Sequence, residues 1–170
     1  GYSTPPDIRH YLETLQREVP ELGGILLGIH CHDDLGLATI NTLTGLAAGA
    51  RQAHCTINGL GERAGNAALE EIVMAMAVRP DRYPFSSRID TTQIWPTSRL
   101  VAEATGFPIA PNKAIVGGNA FAHGAGLHQD GILKSASTYE IIQPERVGAP
   151  PRQLPITRHS GRKGVAARMV

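Results

Sequence analysis

At 170 residues with 42% hydrophobic content the chain is long enough for a sizeable core, and its formal net charge of +1 gives no reason to expect nucleic acid or a membrane surface as a partner. Two cysteines, Cys31 and Cys55, do not make a disulfide framework and point to a reducing, cytoplasmic setting. No run approaches the roughly 20 apolar residues of a membrane span, and the amino terminus has no basic-then-apolar signal pattern.

Ser3-Thr4-Pro5-Pro6-Asp7 reads as a helix start, with a hydroxyl cap followed by prolines in the first turn. Ile8, Tyr11, Leu12 and Leu15 then recur at helical spacing up to Pro20. A strand is expected over 25–32, where Ile25-Leu26-Leu27-Gly28-Ile29 runs into His30-Cys31-His32. The run is continuously apolar, the mark of a parallel strand covered on both faces. Asp33-Asp34 caps a helix over roughly 35–48, which Gly49 terminates. A second strand is expected over 51–58, then a glycine-rich loop from Gly59 to Asn66, then a helix from Ala67 to about Val78.

This alternation is that of parallel βα units. Two such strands alone leave exposed edges, and a closed barrel needs eight over about 250 residues. The expected class is therefore α/β, a partial (β/α)8 TIM barrel holding its last two βα units, followed by a mainly helical subdomain. Residues 1–79 form the barrel portion. Arg79-Pro80-Asp81-Arg82-Tyr83-Pro84 breaks the pattern, and residues 80–150 read as helical, around 91–104 with an interruption at Pro96 and around 119–133. Residues 151–170 read as a basic linker; from Arg146 to Val170 there are six Lys or Arg and no Asp or Glu.

His30 and His32 alternate with Cys31, so both imidazoles point the same way at a strand's carboxyl end, where α/β folds bind ligands. They read either as half of a divalent-metal site or as two hydrogen-bonded histidines. The 59–66 loop delivers Glu62, Arg63 and Asn66 to the same edge. Asn66 is either a ligand or the cap of the helix after it, and Glu62 with Arg63 is either functional or a surface ion pair. His128 stands among small residues and suits proton transfer, though a capping role explains it as well. Tyr139 by default packs. His54 either faces a barrel interior or is hydrogen-bonded there, and the cysteines read as small core residues.

Four ordered strings, His30-Cys31-His32-Asp33-Asp34-Leu35-Gly36-Leu37-Ala38, Thr56 through Asn66, Pro111-Asn112-Lys113-Ala114-Ile115-Val116-Gly117-Gly118 and His128-Gln129-Asp130-Gly131, resemble the 2-isopropylmalate synthase family. Homocitrate and citramalate synthases belong to the same group of acyl-CoA-condensing, metal-dependent TIM barrels. The resemblance implies metal-holding roles for His30, His32 and Asn66, a polar role for Glu62 beside metal and acyl-CoA, and catalytic roles for His128 and Tyr139. It implies Mn²⁺ or Mg²⁺, with Zn²⁺ also admissible, acetyl-CoA and a 2-oxo acid as substrates, and a homodimer in which His128 and Tyr139 reach the partner's barrel. The implied reaction condenses acetyl-CoA with 2-oxoisovalerate to 2-isopropylmalate and CoA, a step of leucine biosynthesis. Related homocitrate or citramalate chemistry is the alternative, and an inactive piece that serves only in binding or assembly is another. The family's aspartate ligand, on a first strand bearing Arg then Asp, has no counterpart ahead of Gly1, so the 170-residue chain alone is expected to be inactive.

Overall fold

The computed structural model describes residues 1–122 and 141–151, which fall into two compact units, Gly1–Ile89 and Asp90–Val170. In the first unit α1, Pro5–Glu18, begins where the sequence places it. The Asp7 carboxylate accepts the Thr4 backbone N–H at 2.8 Å and the Thr4 hydroxyl at 2.6 Å, closing the first turn. A 3₁₀ turn over Pro20–Gly24 leads to β1, Gly28–His30. Helix α2, Ala38–Ala47, returns the chain to β2, Gln52–His54, and α3 spans Leu69–Val78.

β1 and β2 pair in parallel, with Gly28 opposite Gln52, Ile29 opposite Ala53 and His30 opposite His54. The ladder is shorter than the expected strands. The Leu27 carbonyl opens it by accepting both Arg51 and Gln52 N–H groups, and past His30 and His54 each chain turns away to bond with the 66–69 segment. Nor do the described residues cover both faces. Ile29 and Cys31 pack with Leu43, Leu46 and Ile72 under the helices, whereas Gly28, His30, Gln52 and His54 share the opposite, exposed face. Ile25 and Leu26, counted as strand from their apolarity, precede the ladder and are 61% and 64% exposed.

Gly45 explains how closely α2 approaches β1: a Cβ at this position would fall on the Ile29 side chain. Tyr83 and Phe85 pack back onto this core, with the Arg51 guanidinium 5.5 Å from the Phe85 ring centroid, so the 79–85 stretch lies within the first unit. Burial pushes the Cys31 and Cys55 thiols up, as befits core residues with no disulfide.

The described part of the second unit has no strand. It comprises a 3₁₀ turn at Thr91–Gln93, α4 over Ile94–Thr105 and a 3₁₀ turn at Pro144–Val147. Pro96 does not interrupt α4, because it occupies the first turn, where no intrahelical N–H partner is lost. Gly106, at φ +72°, ends the helix in the left-handed region. Arg99 lies over the Trp95 ring at 4.2 Å and donates to the Val116 carbonyl at 2.6 Å. The helix expected over 119–133 falls largely outside the described residues, and the part that is described, 119–122, is not helical: 119–121 are turn.

Candidate functional site

β1 presents His30 at its last ladder position and His32 two residues beyond, and their ring centroids lie 4.9 Å apart, inclined by 70°. The period-two alternation does put the two imidazoles together. His54 joins them from β2, its ring 6.1 Å from that of His30, as their register requires. Beneath them Gly28 leaves the face open; a Cβ there would be 3.4 Å from His54 Nε2 and Gln52 Oε1.

The loop after β2 is folded back onto the exit of β1. Asp33 N–H donates to the Gly65 carbonyl at 2.9 Å, Ala67 N–H to the Cys31 carbonyl at 3.2 Å, and His32 and Asn66 form a lone antiparallel bridge between them. Left-handed backbone at Asn58, Gly59, Arg63 and Gly65 makes this tight path. Gly65 permits the closest approach, since a Cβ on it would strike the Gly59 carbonyl. From below, the fully buried Glu70 of α3 accepts the Asn58 N–H at 3.1 Å.

Asn66 does not cap α3, which begins at Leu69 after Ala68. Its carboxamide nitrogen instead donates to the Leu60 carbonyl at 3.1 Å. That bond turns the oxygen the other way. His32 Nδ1 and Asn66 Oδ1 are both shut off from solvent, and neither has a hydrogen-bond partner. Buried polar atoms are nearly always paired, so two unmet acceptor-capable atoms on bridged residues mark a place suited to a cation. Among the described residues no group of three or more His, Cys, Asp or Glu side chains is arranged to hold a metal ion. What stands here is two imidazoles and an amide oxygen, a set that fits part of a divalent shell and lacks an anion.

Asp34 and Arg63 form the rim. The guanidinium donates to both Asp34 oxygens, Nε at 2.7 Å and Nη2 at 3.1 Å, and its Nη1 lies 3.4 Å from a Glu62 oxygen. The Arg63 hydrogen bonds hold the Asp34 carboxyl down at about 2. The Glu62–Arg63 pair expected from the sequence exists, but Arg63's shorter contacts cross to Asp34, which reads in the sequence as a helix cap. Asp33 alone serves α2, accepting the Ala38 N–H at 2.8 Å. Glu62 itself is three-quarters exposed. His128 and Tyr139 lie outside the described residues.

Comparison with known proteins gives these features a family context. Residues 1–101 match the HMGL-like family, and residues 115–170 match the homocitrate synthase post-HMGL domain-like family. The chain is 56% identical over 162 residues to the 2-isopropylmalate synthase of Bradyrhizobium diazoefficiens, covering 95% of this chain and 31% of that protein. It is 54% identical over 169 residues to the enzymes of the same name from Aromatoleum aromaticum and Salinibacter ruber, covering 99% of this chain and 33% and 31% of theirs. The chain thus spans about a third of the length of these curated relatives. Among solved structures it resembles an HMG-CoA lyase of Bacillus subtilis, with a TM-score of 0.53 and 24% identity over 64% of this chain and 36% of the lyase. An HMG-CoA lyase of Acinetobacter baumannii, solved with coenzyme A and 3-methylmalate, gives a TM-score of 0.50 and 22% identity over 62% of this chain and 34% of that one. These likenesses concern the fold, a partial (β/α)8 barrel with a helical portion after it.

Proposed function

The chain belongs to the HMGL-like family, and on that premise we propose that it serves the 2-isopropylmalate synthase reaction: acetyl-CoA condenses with 2-oxoisovalerate, and hydrolysis of the thioester gives 2-isopropylmalate and CoA. The observation that carries this reading is identity above 50% across nearly the whole chain to enzymes of that name. We assign the activity to the full set of barrel strands that such enzymes have, with this chain supplying one sector of the site.

In this reading His30, His32 and Asn66 hold a divalent cation, Mn²⁺ or Mg²⁺, with Zn²⁺ also compatible with imidazole donors. When bound, the cation supplies Lewis-acid polarisation of the 2-oxo acid's keto group. The unmet His32 Nδ1 and Asn66 Oδ1 support this assignment. Glu62, on the same loop, stands at the rim where the acyl-CoA enters. His128 takes the proton from the acetyl methyl group, and Tyr139 orients the hydrolytic water; both reach the site of the second subunit in a homodimer. The free thiols Cys31 and Cys55 accord with a cytoplasmic enzyme of leucine biosynthesis. No helix among the described residues is long and apolar enough to cross a membrane.

The test is a graft. Residues 1–170 replace the matched segment of the Aromatoleum aromaticum enzyme, and thiol release from acetyl-CoA is followed with 2-oxoisovalerate and Mn²⁺. Turnover that His30→Ala, His32→Ala and His128→Ala each abolish is the expected result. A folded graft without turnover, or one indifferent to the histidines, would sink the reading.

A further inference from the structure

Arg63 occupies a position that local rules assign to other residues. The turn from Glu62 to Gly65, closed by Gly65 N–H on the Glu62 carbonyl at 3.0 Å, puts Arg63 at φ +57°. Turns that need this hand at their second position use Gly, Asn or Asp. An arginine there is strained, and its ion pair returns little: the Arg63 side chain is half exposed and that of Asp34 a third exposed. Stability therefore gives no reason for arginine at this position, and geometry gives another.

The guanidinium spans two loops. Its Nε and Nη2 hold Asp34, just past the exit of β1, while Nη1 faces Glu62 on its own loop. Directly inside this clamp run the Asp33–Gly65 and Ala67–Cys31 backbone bonds and the His32–Asn66 bridge. Without the clamp the 59–66 loop is held to the exit of β1 by those backbone contacts alone, and a shift of the loop would move Asn66 Oδ1 relative to His32 Nδ1.

We propose that Arg63 is a positioning residue, which through Asp34 keeps Asn66 in register with His32 for cation binding and fixes the carboxylate of Glu62 at the rim. It touches neither cation nor substrate. The inference rests on the metal-holding roles proposed above for His30, His32 and Asn66.

Arg63→Gly separates the two accounts, because glycine relieves the turn while removing the clamp. The graft of residues 1–170 into the Aromatoleum aromaticum enzyme, described above, is titrated with Mn²⁺, free cation being read by electron paramagnetic resonance, and its melting is followed by circular dichroism, the unaltered chain being the graft with no further substitution. Arg63→Gly is expected to melt at or above the temperature of the unaltered chain and yet bind Mn²⁺ roughly tenfold more weakly. Asp34→Asn is expected to lose the same affinity, and the double variant no more than either single one. Unchanged affinity in Arg63→Gly, a melting temperature that falls along with affinity, or additive losses would each overturn the proposal. His32→Leu tells its failure from that of the underlying reading. If His32→Leu binds Mn²⁺ as the unaltered chain does, or neither binds it, the metal-holding roles fall and the clamp with them. If His32→Leu loses binding while Arg63→Gly keeps it, only the clamp is overturned.

Discussion

His32 and Asn66 face each other across a lone antiparallel bridge, and each ends in a buried polar atom with no hydrogen-bond partner, Nδ1 on one and Oδ1 on the other. An unmet buried polar atom is a stability cost of about 1–3 kcal/mol that an apolar side chain of similar size avoids. His32→Leu is therefore expected to melt no lower than the unaltered chain in metal-free buffer. Saturating Mn²⁺ should then raise the melting temperature of the unaltered chain by mass action and leave His32→Leu where it was. Scans with and without the cation read this directly; an equal shift in both proteins would remove His32 from the site.

Gly61 offers a way to disturb Asn66 without touching it. A Cβ at residue 61 would fall on the Asn66 carboxamide, the movable end of a side chain, and Gly61 itself is not in the left-handed region. Gly61→Ala should therefore leave the fold nearly intact, within about 0.5 kcal/mol, while turning the carboxamide away from the Leu60 carbonyl. Mn²⁺ affinity is the measurement, expected to fall roughly tenfold. Retained affinity would mean that the Asn66 oxygen is not a ligand.

Gly65 predicts the opposite division. At φ +97° and against the Gly59 carbonyl, a methyl group meets backbone rather than a side chain that can swing aside. Gly65→Ala is expected to destabilise the first unit by roughly 1–3 kcal/mol, seen in urea denaturation, with loss of cation binding as a consequence of the loosened loop. A variant as stable as the unaltered chain would show that the loop has an alternative path.

How much of this was legible in the sequence depended on the range of the interaction. The helix start at Thr4 and Pro5, the two parallel βα units and the common face of His30 and His32 follow from local spacing, and the structure holds all three. Apolarity at Ile25 and Leu26 points to strand but says nothing about which backbone will pair with them, and both precede the ladder. Asn66 looks like a helix cap from its immediate neighbours, yet the helix starts three residues later and its carboxamide turns to Leu60. Asp34 with Arg63 joins residues 29 apart through two loops, and only opposite charges at the carboxyl ends of adjacent strands hint at it. Pro96 signals a break by its residue type, and only the start of α4 at Ile94, which puts it in the first turn, makes it compatible with the helix.

Acid tests the electrostatic half of the site. Asp34 is held at about 2 by its Arg63 hydrogen bonds, against an ordinary value of 3.8. Asp7, bonded to Thr4, and Asp81, bonded to Arg79, are lowered as well. A carboxyl whose folded value lies below its unfolded value favours the folded state above the unfolded value and loses that contribution as pH falls through the folded one. Urea midpoints should thus be insensitive to these groups above about pH 5 and decline between about pH 4 and pH 2. Asp34→Asn should show a shallower decline over that window, and added salt should narrow the difference because all three carboxyls are at the surface. Identical acid limbs for the two proteins would show that the Asp34–Arg63 contact does not persist in solution.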